Sequence, residues 1–189
     1  VTDLGILADE AGGLSRALAE AATGHDLGVT SGGVSTGEAD YVKAAVEAVG
    51  RLDVWRFAIK PGRPLALGTI GGTAFVGLPG NPVAVHVTMT HIVRGLIAAL
   101  GGETWLPPEP MPARSGFAYR KRAGRTEFVR VHRDPAGPDG LPRLRKFARE
   151  GAGIISSLTE ADGFAILGEE VVEVAPGDRI GFVPFWAYP

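Results

Sequence analysis

Ten residues, Glu103–Pro112, hold four prolines and Trp105, and the hydrophobic pattern differs on their two sides. Prolines at this density interrupt regular elements, so the segment reads as a linker. Before it, helical and strand periods alternate. After it, only short strands follow one another. The pattern predicts an α/β unit to about residue 102, a linker, and a small all-β unit. A chain of 189 residues has room for two small domains and can bury a core without staples.

In the first unit, Leu14, Leu18 and Ala21 or Ala22 recur at helical spacing, and Gly24 stops that helix. The apolar run Asp26–Thr30 reads as a strand, and Ser31-Gly32-Gly33-Val34-Ser35-Thr36-Gly37 as a glycine-rich turn. Ser35 and Glu38 have the spacing of a capping box for a helix that carries Ala39, Val42, Val46 and Val49 and ends at Gly50. Val54–Ile59 reads as a strand, closed by Lys60-Pro61-Gly62-Arg63-Pro64. Leu65–Gly68 and Thr73–Leu78 read as two strands, with a hairpin turn at Ile70–Thr73. Asn81 is a good N-cap and Pro82 a good first residue for a long apolar helix, Val83–Leu100, halted by Gly101-Gly102. A helix this apolar is expected to be buried on most of its surface. In the second unit, strands are expected at Thr126–Val131, Leu141–Phe147, Phe164–Leu167, Val171–Val174 and Arg179–Phe185, with turns at Pro135–Gly140 and Pro176–Asp178.

Composition narrows the function. Lys and Arg total 19 against 21 Asp and Glu, a formal charge of −2, which argues against a nucleic-acid binder working by bulk charge. A hydrophobic share of 45% excludes wholesale disorder. With no Cys, disulfide scaffolds, thiolate zinc sites and thiol catalysis fall away, a usage compatible with the cytosol. No uninterrupted apolar run reaches about 18–20 residues, so no membrane-spanning helix is expected. No secretory signal opens the chain. The first residue is Val1 rather than Met, as expected of a chain that begins inside a longer reading frame or has been trimmed.

Three loops carry chemistry. The glycines of Ser31–Gly37 let backbone N–H groups converge at the start of a helix, which suits a phosphate or other oxyanion. A plain turn with a helix cap is the alternative. Leu78-Pro79-Gly80-Asn81-Pro82 repeats the strand–turn–helix form with a proline-stiffened loop, and a capped helix start is its plain reading. Lys60 and Arg63 sit three residues apart on a loop held by prolines, either an anion clamp at the same end of the sheet or a solvated basic turn. Glu38 and Asp40 follow the glycine loop. A carboxylate there complements the helix dipole or, against bound phosphates, holds Mg²⁺ or steers a water. His86 and His91 are five apart and diverge by about 140° on an ideal helix, so they read as packing or interface residues rather than metal ligands. His25 and His132 show no ligand pattern, and without a G-x-S-x-G elbow a hydrolase triad has no support.

Taken together, Thr30–Tyr41 (T-S-G-G-V-S-T-G-E-A-D-Y), Ile59–Pro64 (I-K-P-G-R-P) and Gly77–Val83 (G-L-P-G-N-P-V) closely resemble the molybdopterin molybdenumtransferase family, of MoeA type and related to the gephyrin E domain. The motifs stand in family order and spacing, and their joint match is far more specific than one glycine loop. Gly124–Arg130 and Ser156–Gly163 resemble the family's C-terminal barrel, so the likeness covers essentially the whole chain. It implies a three-layer, MogA-like molybdopterin-binding domain with a mostly parallel sheet over residues 1–106, lacking its first strand and helix, and a C-terminal β-barrel domain over residues 107–189.

The resemblance also implies a reaction. Adenylylated molybdopterin binds in the α/β domain, molybdate enters beside its dithiolene, and AMP is released in a Mg²⁺-dependent step of molybdenum cofactor biosynthesis. Asp40 is then the catalytic acid. Ser31, Gly32, Gly33, Ser35, Glu38, Pro79, Gly80, Asn81 and Pro82 hold the pterin nucleotide. Lys60, Arg63 and, from the β-domain, Arg130 face molybdate, and Mg²⁺ sits at Asp40 or Glu38. A cytoplasmic homodimer in contact with molybdopterin adenylyltransferase, with no nucleic acid and no membrane as partner, completes the expectation.

Departures from the family pattern are Arg63 where Lys is common, Ala84 where Ser is common, and a Gly151-Ala152-Gly153 segment without its usual serine. Two hydroxyl donors to an oxyanion are thereby missing, which touches molybdate affinity rather than the pterin site. The family's proteins are longer, with an elongated pair of domains and a G-D-E-L-type loop upstream, so the chain resembles a C-terminal half. Two other functions share the architecture: the sister molybdopterin adenylyltransferase and a non-catalytic scaffold of gephyrin type. The V-S-x-G-E-A-D-Y wording and the appended β-domain favour the insertase, and binding of adenylylated molybdopterin or AMP separates it from a scaffold.

Overall fold

The computed structural model describes residues 1–8, 11–33 and 41–188, with the side chains of Ala11, Val54 and Trp55 left aside. Among these residues the first unit runs α1 (Ala11–Ala22), β1 (Leu27–Ser31), α2 (Tyr41–Val49), β2 (Gly50–Arg56), β3 (Ile59–Lys60), β4 (Pro64–Ile70) and β5 (Thr73–Leu78). A long helix follows. Four strands form one sheet in the order β1-β5-β4-β2. β1 and β5 are parallel, while β4 is antiparallel to both β5 and β2. Three strands therefore share a direction and β4 opposes them, because the tight hairpin through Gly71 and Gly72, both at positive φ, reverses the chain.

Leu14 and Leu18 of α1 and Val42, Ala45 and Val46 of α2 bury their apolar stripes on one face of the sheet, against Ala66, Ile70 and Phe75. The other face, with Leu65, Val76 and Leu78, packs on Val93 of the long helix. The result is a three-layer α/β/α unit. β1 and β2 are the edge strands of this sheet among the described residues, and beside β1 lies a cavity of about 590 Å³ lined by Thr2–Leu7, Leu14, Leu18 and the residues of β1.

The helix that follows β5 spans Pro82–Leu100 as α3 (Pro82–Thr88), a π-helical stretch (Met89–Val93) and α4 (Arg94–Leu100). Thr88 and Thr90 each donate their hydroxyls to carbonyls one turn back, Thr88 to Ala84 at 2.8 Å and Thr90 to His86 at 2.7 Å. Such bonds compete with the regular ladder where the winding widens. By length and mean hydropathy (1.6) this helix is long and apolar enough to cross a membrane, a test that the core helix of a soluble protein also passes, and its uninterrupted apolar runs stay short, as expected, because His86, His91 and Arg94 break them. About a third of it is buried, short of the expected burial of most of its surface.

The second unit comprises β6 (Met111–Ser115), β7 (Tyr119–Arg120), β8 (Thr126–Ala136), β9 (Pro142–Lys146), α5 (Ser156–Glu160), β10 (Gly163–Leu167), β11 (Glu173–Val174) and β12 (Arg179–Pro184). The order β10-β12-β6-β9-β8, with β8 pairing back onto β10, closes a five-stranded barrel around Val131, Leu144, Ala165 and Phe182. β3 adds to this barrel rather than to its own unit's sheet, pairing parallel to β8 with Ile59 opposite Thr126 and Lys60 opposite Glu127. Trp105 packs against Gly95 and under the Arg94 guanidinium at 5.1 Å, so the proline-rich segment is pinned along α4.

Gly50 stands just beyond α2, as expected, and opens β2 directly, where a Cβ would stand 2.0 Å from the Thr69 carbonyl oxygen. α5, β6 and β7 have no counterpart in the sequence reading: each is short and polar enough to resemble loop.

Candidate functional site

Parallel pairing fixes the first part of the site. Ser31, the last residue of β1, stands opposite Leu78, the last of β5, so both following loops leave the same end of the sheet. They are tied together there. The Gly32 N–H donates to the Leu78 carbonyl at 3.0 Å, and the Ser31 hydroxyl to the Pro79 carbonyl at 3.3 Å. Gly33 adopts φ of +68°, and a Cβ at this position would lie 2.4 Å from Val42 Cγ2, so only glycine lets the loop pass so close to α2. Gly80 sits against Gly32, where two side-chain-free residues bring the backbones together.

Asn81 is at the N-cap position of α3 in extended conformation, with Pro82 first in the helix as the sequence predicts, though the Asn81 side chain makes no capping bond. Instead the β unit supplies a partner: the Val83 N–H donates to the Ala152 carbonyl at 3.0 Å. The Asn81 amide therefore stays uncommitted to the cap, beside the glycine loop, near Gly153. Ser35, Glu38 and Asp40 lie outside the described residues. Ser31, Gly32, Gly33, Pro79, Gly80, Asn81 and Pro82 are brought together at one end of the sheet.

Antiparallel pairing of β4 places its first residues at that same end, where Ala66 faces Gly77. The Lys60–Pro64 loop thus joins the other two, and Gly62, at φ of +108°, packs against Thr88 and Ala84 of α3. Its two cations part company. Lys60 lines a cavity of about 190 Å³ between the two units, together with Arg130, Lys146, Glu150 and Gly151. Arg63 stays exposed on the loop and is not among that cavity's lining residues.

Charge in this cavity is arranged rather than loose. Glu127 is 1% exposed and accepts from three side chains: Tyr119 Oη at 2.8 Å and Lys60 Nζ at 3.2 Å on Oε2, and Arg125 at 2.8 Å on Oε1. Burial alone would raise its carboxyl pKa; the bonds from Tyr119, Lys60 and Arg125 outweigh it and hold the group below the usual carboxylate range. Burial, then the bond to Glu127, pushes the Tyr119 phenol up, so it is a donor at any working pH. Arg130 donates to the Gly151 carbonyl at 2.9 Å, while its Nε is buried without a partner among the described residues. Burial lowers the Arg130 pKa, against the pull of Glu150 and Tyr119. Lys146 pairs with Glu150, which depresses that carboxyl. A guanidinium and a half-exposed ammonium that line one small cavity suit a compact oxyanion.

The sequence reading named Lys60 and Arg130 but not Glu127, Tyr119 or Lys146. The available signal was a single acid, Glu127, set among the buried strand residues Phe128, Val129 and Val131, where an unpaired carboxylate would be costly. His86 and His91, expected to diverge, both turn toward the β unit. The π-helical stretch from Met89 advances less angle per residue, so the two side chains diverge less than on an ideal α-helix. His86 packs on Phe164 and Phe185, and His91 on Phe128 and, through a 2.8 Å bond, Tyr188.

A three-layer α/β unit whose loops converge at the strand ends, sealed to a small barrel through an inserted strand, is the architecture of MogA-like domains with an appended β-barrel. Residues 1–99 match the family described as "Probable molybdopterin binding domain", and residues 112–185 the one described as "MoeA C-terminal region (domain IV)". The chain belongs to the MoeA-type molybdopterin-binding family. It is 37% identical to a molybdopterin molybdenumtransferase of Haemophilus influenzae over 98% of its own length and 46% of that protein's. It is 34% identical to gephyrin of Dictyostelium discoideum over 52% of the chain and 16% of gephyrin. A molybdopterin biosynthesis MoeA protein of Pyrococcus horikoshii superposes with a TM-score of 0.70 at 26% identity, over 94% of this chain and 41% of that one. The chain thus spans less than half the length of these relatives.

Proposed function

We propose that this chain carries the pterin-nucleotide and oxyanion sites of a molybdopterin molybdenumtransferase, which inserts molybdate into adenylylated molybdopterin with release of AMP. The observation that supports it most is the convergence of three loops at one end of the sheet, next to a cation-lined cavity at the unit junction. The bonds that tie the Ser31–Gly33 and Pro79–Pro82 loops hold them together, and the Asn81 amide, free of the cap, is turned to the nucleotide. Segment 151–153 bridges the two sites, since Ala152 accepts from α3, Gly153 lies near Asn81, and Gly151 with Ala152 lines the cavity. Lys60 and Arg130 then hold molybdate, with Arg63 in a peripheral, solvent-side role. Gly151 and Ala152 bring no hydroxyl to the cavity, whose lining is dominated by charged side chains.

Asp40 is the proposed catalytic acid and Mg²⁺ its partner, at Asp40 or Glu38, on the strength of the resemblance. Both residues lie outside the described ones, and among the described residues no cluster of three His, Asp or Glu could hold a metal. When bound, Mg²⁺ would offset phosphate charge. A homodimer, contact with molybdopterin adenylyltransferase and a cytoplasmic location belong to the same proposal. So does a division into residues 1–106 and 107–189 with the α/β unit short of a strand and helix, a reading that the open edge of β1 and its adjoining cavity favour.

Reconstitution tests the reading. The chain, alone and with the upstream half of a relative, is mixed with molybdate, Mg²⁺ and adenylylated molybdopterin, and AMP is measured. Asp40→Asn is expected to keep nucleotide binding and stability while AMP release falls by orders of magnitude. Normal turnover by a folded Asp40→Asn protein removes the catalytic assignment. Absence of any binding to AMP, adenylylated molybdopterin or molybdate removes the whole reading in favour of a scaffold.

A further inference from the structure

We infer that Glu127 is a positioning residue for Lys60: from strand β8 of the barrel it fixes where the lysine of the α/β unit presents its charge to the junction cavity. The inference rests on the oxyanion reading of that cavity for its functional meaning, but its geometry stands apart from it. Parallel pairing of β3 with β8 puts Lys60 opposite Glu127, and the ammonium reaches the carboxylate at 3.2 Å.

The division of partners on Glu127 shows which group serves which. Arg125 occupies Oε1 with both Nε and a terminal nitrogen at 2.8 Å and already balances the buried charge. Tyr119 occupies Oε2 at 2.8 Å. Glu127 is therefore neutralised and bonded without Lys60. Lys60 is in the opposite position: its side chain is 50% exposed, and the carboxylate is its one fixed partner among the described contacts. A long exposed lysine samples many rotamers. One bond to an immobile carboxylate selects among them and leaves the other ammonium donors for the cavity.

Electrostatics alone would give the reverse expectation. A carboxylate beside an oxyanion site repels the ligand, so neutralising it should tighten binding. If Glu127 acts by position, neutralising it loosens binding, and only while Lys60 is present. Glu127→Gln keeps size and one accepting oxygen but turns the other into an NH₂ donor and removes the charge, so the hold on Lys60 loosens and the sign of the effect separates the two.

The test uses the whole chain, inorganic molybdate as probe, and a double-mutant cycle. Glu127→Gln and Lys60→Ala are each expected to weaken molybdate binding about tenfold, and the double variant no more than Lys60→Ala alone. The ¹⁵Nζ resonance of Lys60 supplies a ligand-free readout: in Glu127→Gln it shifts and its exchange with water speeds up. Unchanged or tighter molybdate binding in Glu127→Gln overturns the proposal, as does an equal loss in the Lys60→Ala background, which marks a merely structural role. If the wild-type chain binds no molybdate, the oxyanion reading fails, and the Lys60 resonance still decides: a shift in Glu127→Gln upholds the positioning, an unmoved signal ends it. Should Glu127→Gln not fold, Glu127→Asp keeps the buried charge but draws it away from Nζ, and the same two readouts apply.

Discussion

At the residue scale the site depends on where a charge is held, not on how many charges a loop carries. Lys60 and Arg63 are near neighbours in sequence, yet β3 delivers Lys60 to the barrel while Arg63 faces solvent. Arg130→Ala is accordingly expected to weaken molybdate or sulfate binding by about 1–3 kcal/mol, since it removes a charged donor from a partly desolvated cavity. Arg63→Ala should cost well under half of that, as an exposed cation is screened. Calorimetric titration of both variants checks this, and equal losses would move Arg63 into the site. Gly33 sets a different limit. Gly33→Ala must bear a positive φ and a contact with Val42 far inside van der Waals distance, so a loss of about 2–3 kcal/mol in unfolding stability is expected. Denaturant titration reads it, and an unchanged midpoint would mean that the glycine loop relaxes freely away from α2.

At the scale of elements, two glycines weld β2 to β4. A Cβ on Gly50 would meet the Thr69 carbonyl oxygen at 2.0 Å, and one on Gly68 the Arg51 carbonyl oxygen at the same distance. Backbone cannot swing aside as a side chain can, so Gly50→Ala or Gly68→Ala is expected to cost about 3 kcal/mol or more, seen as a large drop in melting temperature. A change of less than about 1 kcal/mol would show that the two strands part without penalty. The sequence foretold the main elements of the first unit because its helical stripes and its hairpin glycines are strong local signals: Leu14 and Leu18 bury together, and Gly71-Gly72 turns where expected. It did not foretell β3, whose two residues pair with a strand more than sixty positions on, nor the π-helical stretch that turns His91 beside His86. The site divides in the same way. Loops that bind through backbone at strand ends are written in Gly, Pro and Asn, whereas the Glu127 network depends on a register between units that no local pattern carries.

At the scale of the whole molecule, the two units share a buried, aromatic junction that holds histidines neutral. His86 packs among Phe164, Phe185 and Tyr188, and His91 between Phe128 and Tyr188, whose hydroxyl bonds its Nε2 at 2.8 Å. Burial, aided by the nearby His86, pushes the His91 pKa down from 6.5 to about 4, and burial lowers His86 in the same direction. Both groups are depressed in the folded state, so the unfolded chain takes up protons first as pH falls. Stability contributed by neutral His91 is therefore full above about pH 6.5 and is lost progressively toward pH 4, by about 3 kcal/mol at most. The held-down carboxyls Glu127 and Glu150 act lower, below the ordinary carboxylate pKa of 4.5, which leaves the window from 4.5 to 6.5 to the histidines. Because His91 lies on the helix and Tyr188 on the far end of the chain, protonation strains the contact between units before it reaches either core. Unfolding stability measured from pH 7.5 to 5 is thus expected to fall in the wild-type chain and to fall distinctly less in His91→Phe, which keeps an aromatic ring against Phe128 but cannot take a proton. Parallel pH profiles for the two proteins would show that the junction histidines do not couple protonation to the docking of the barrel on the α/β unit.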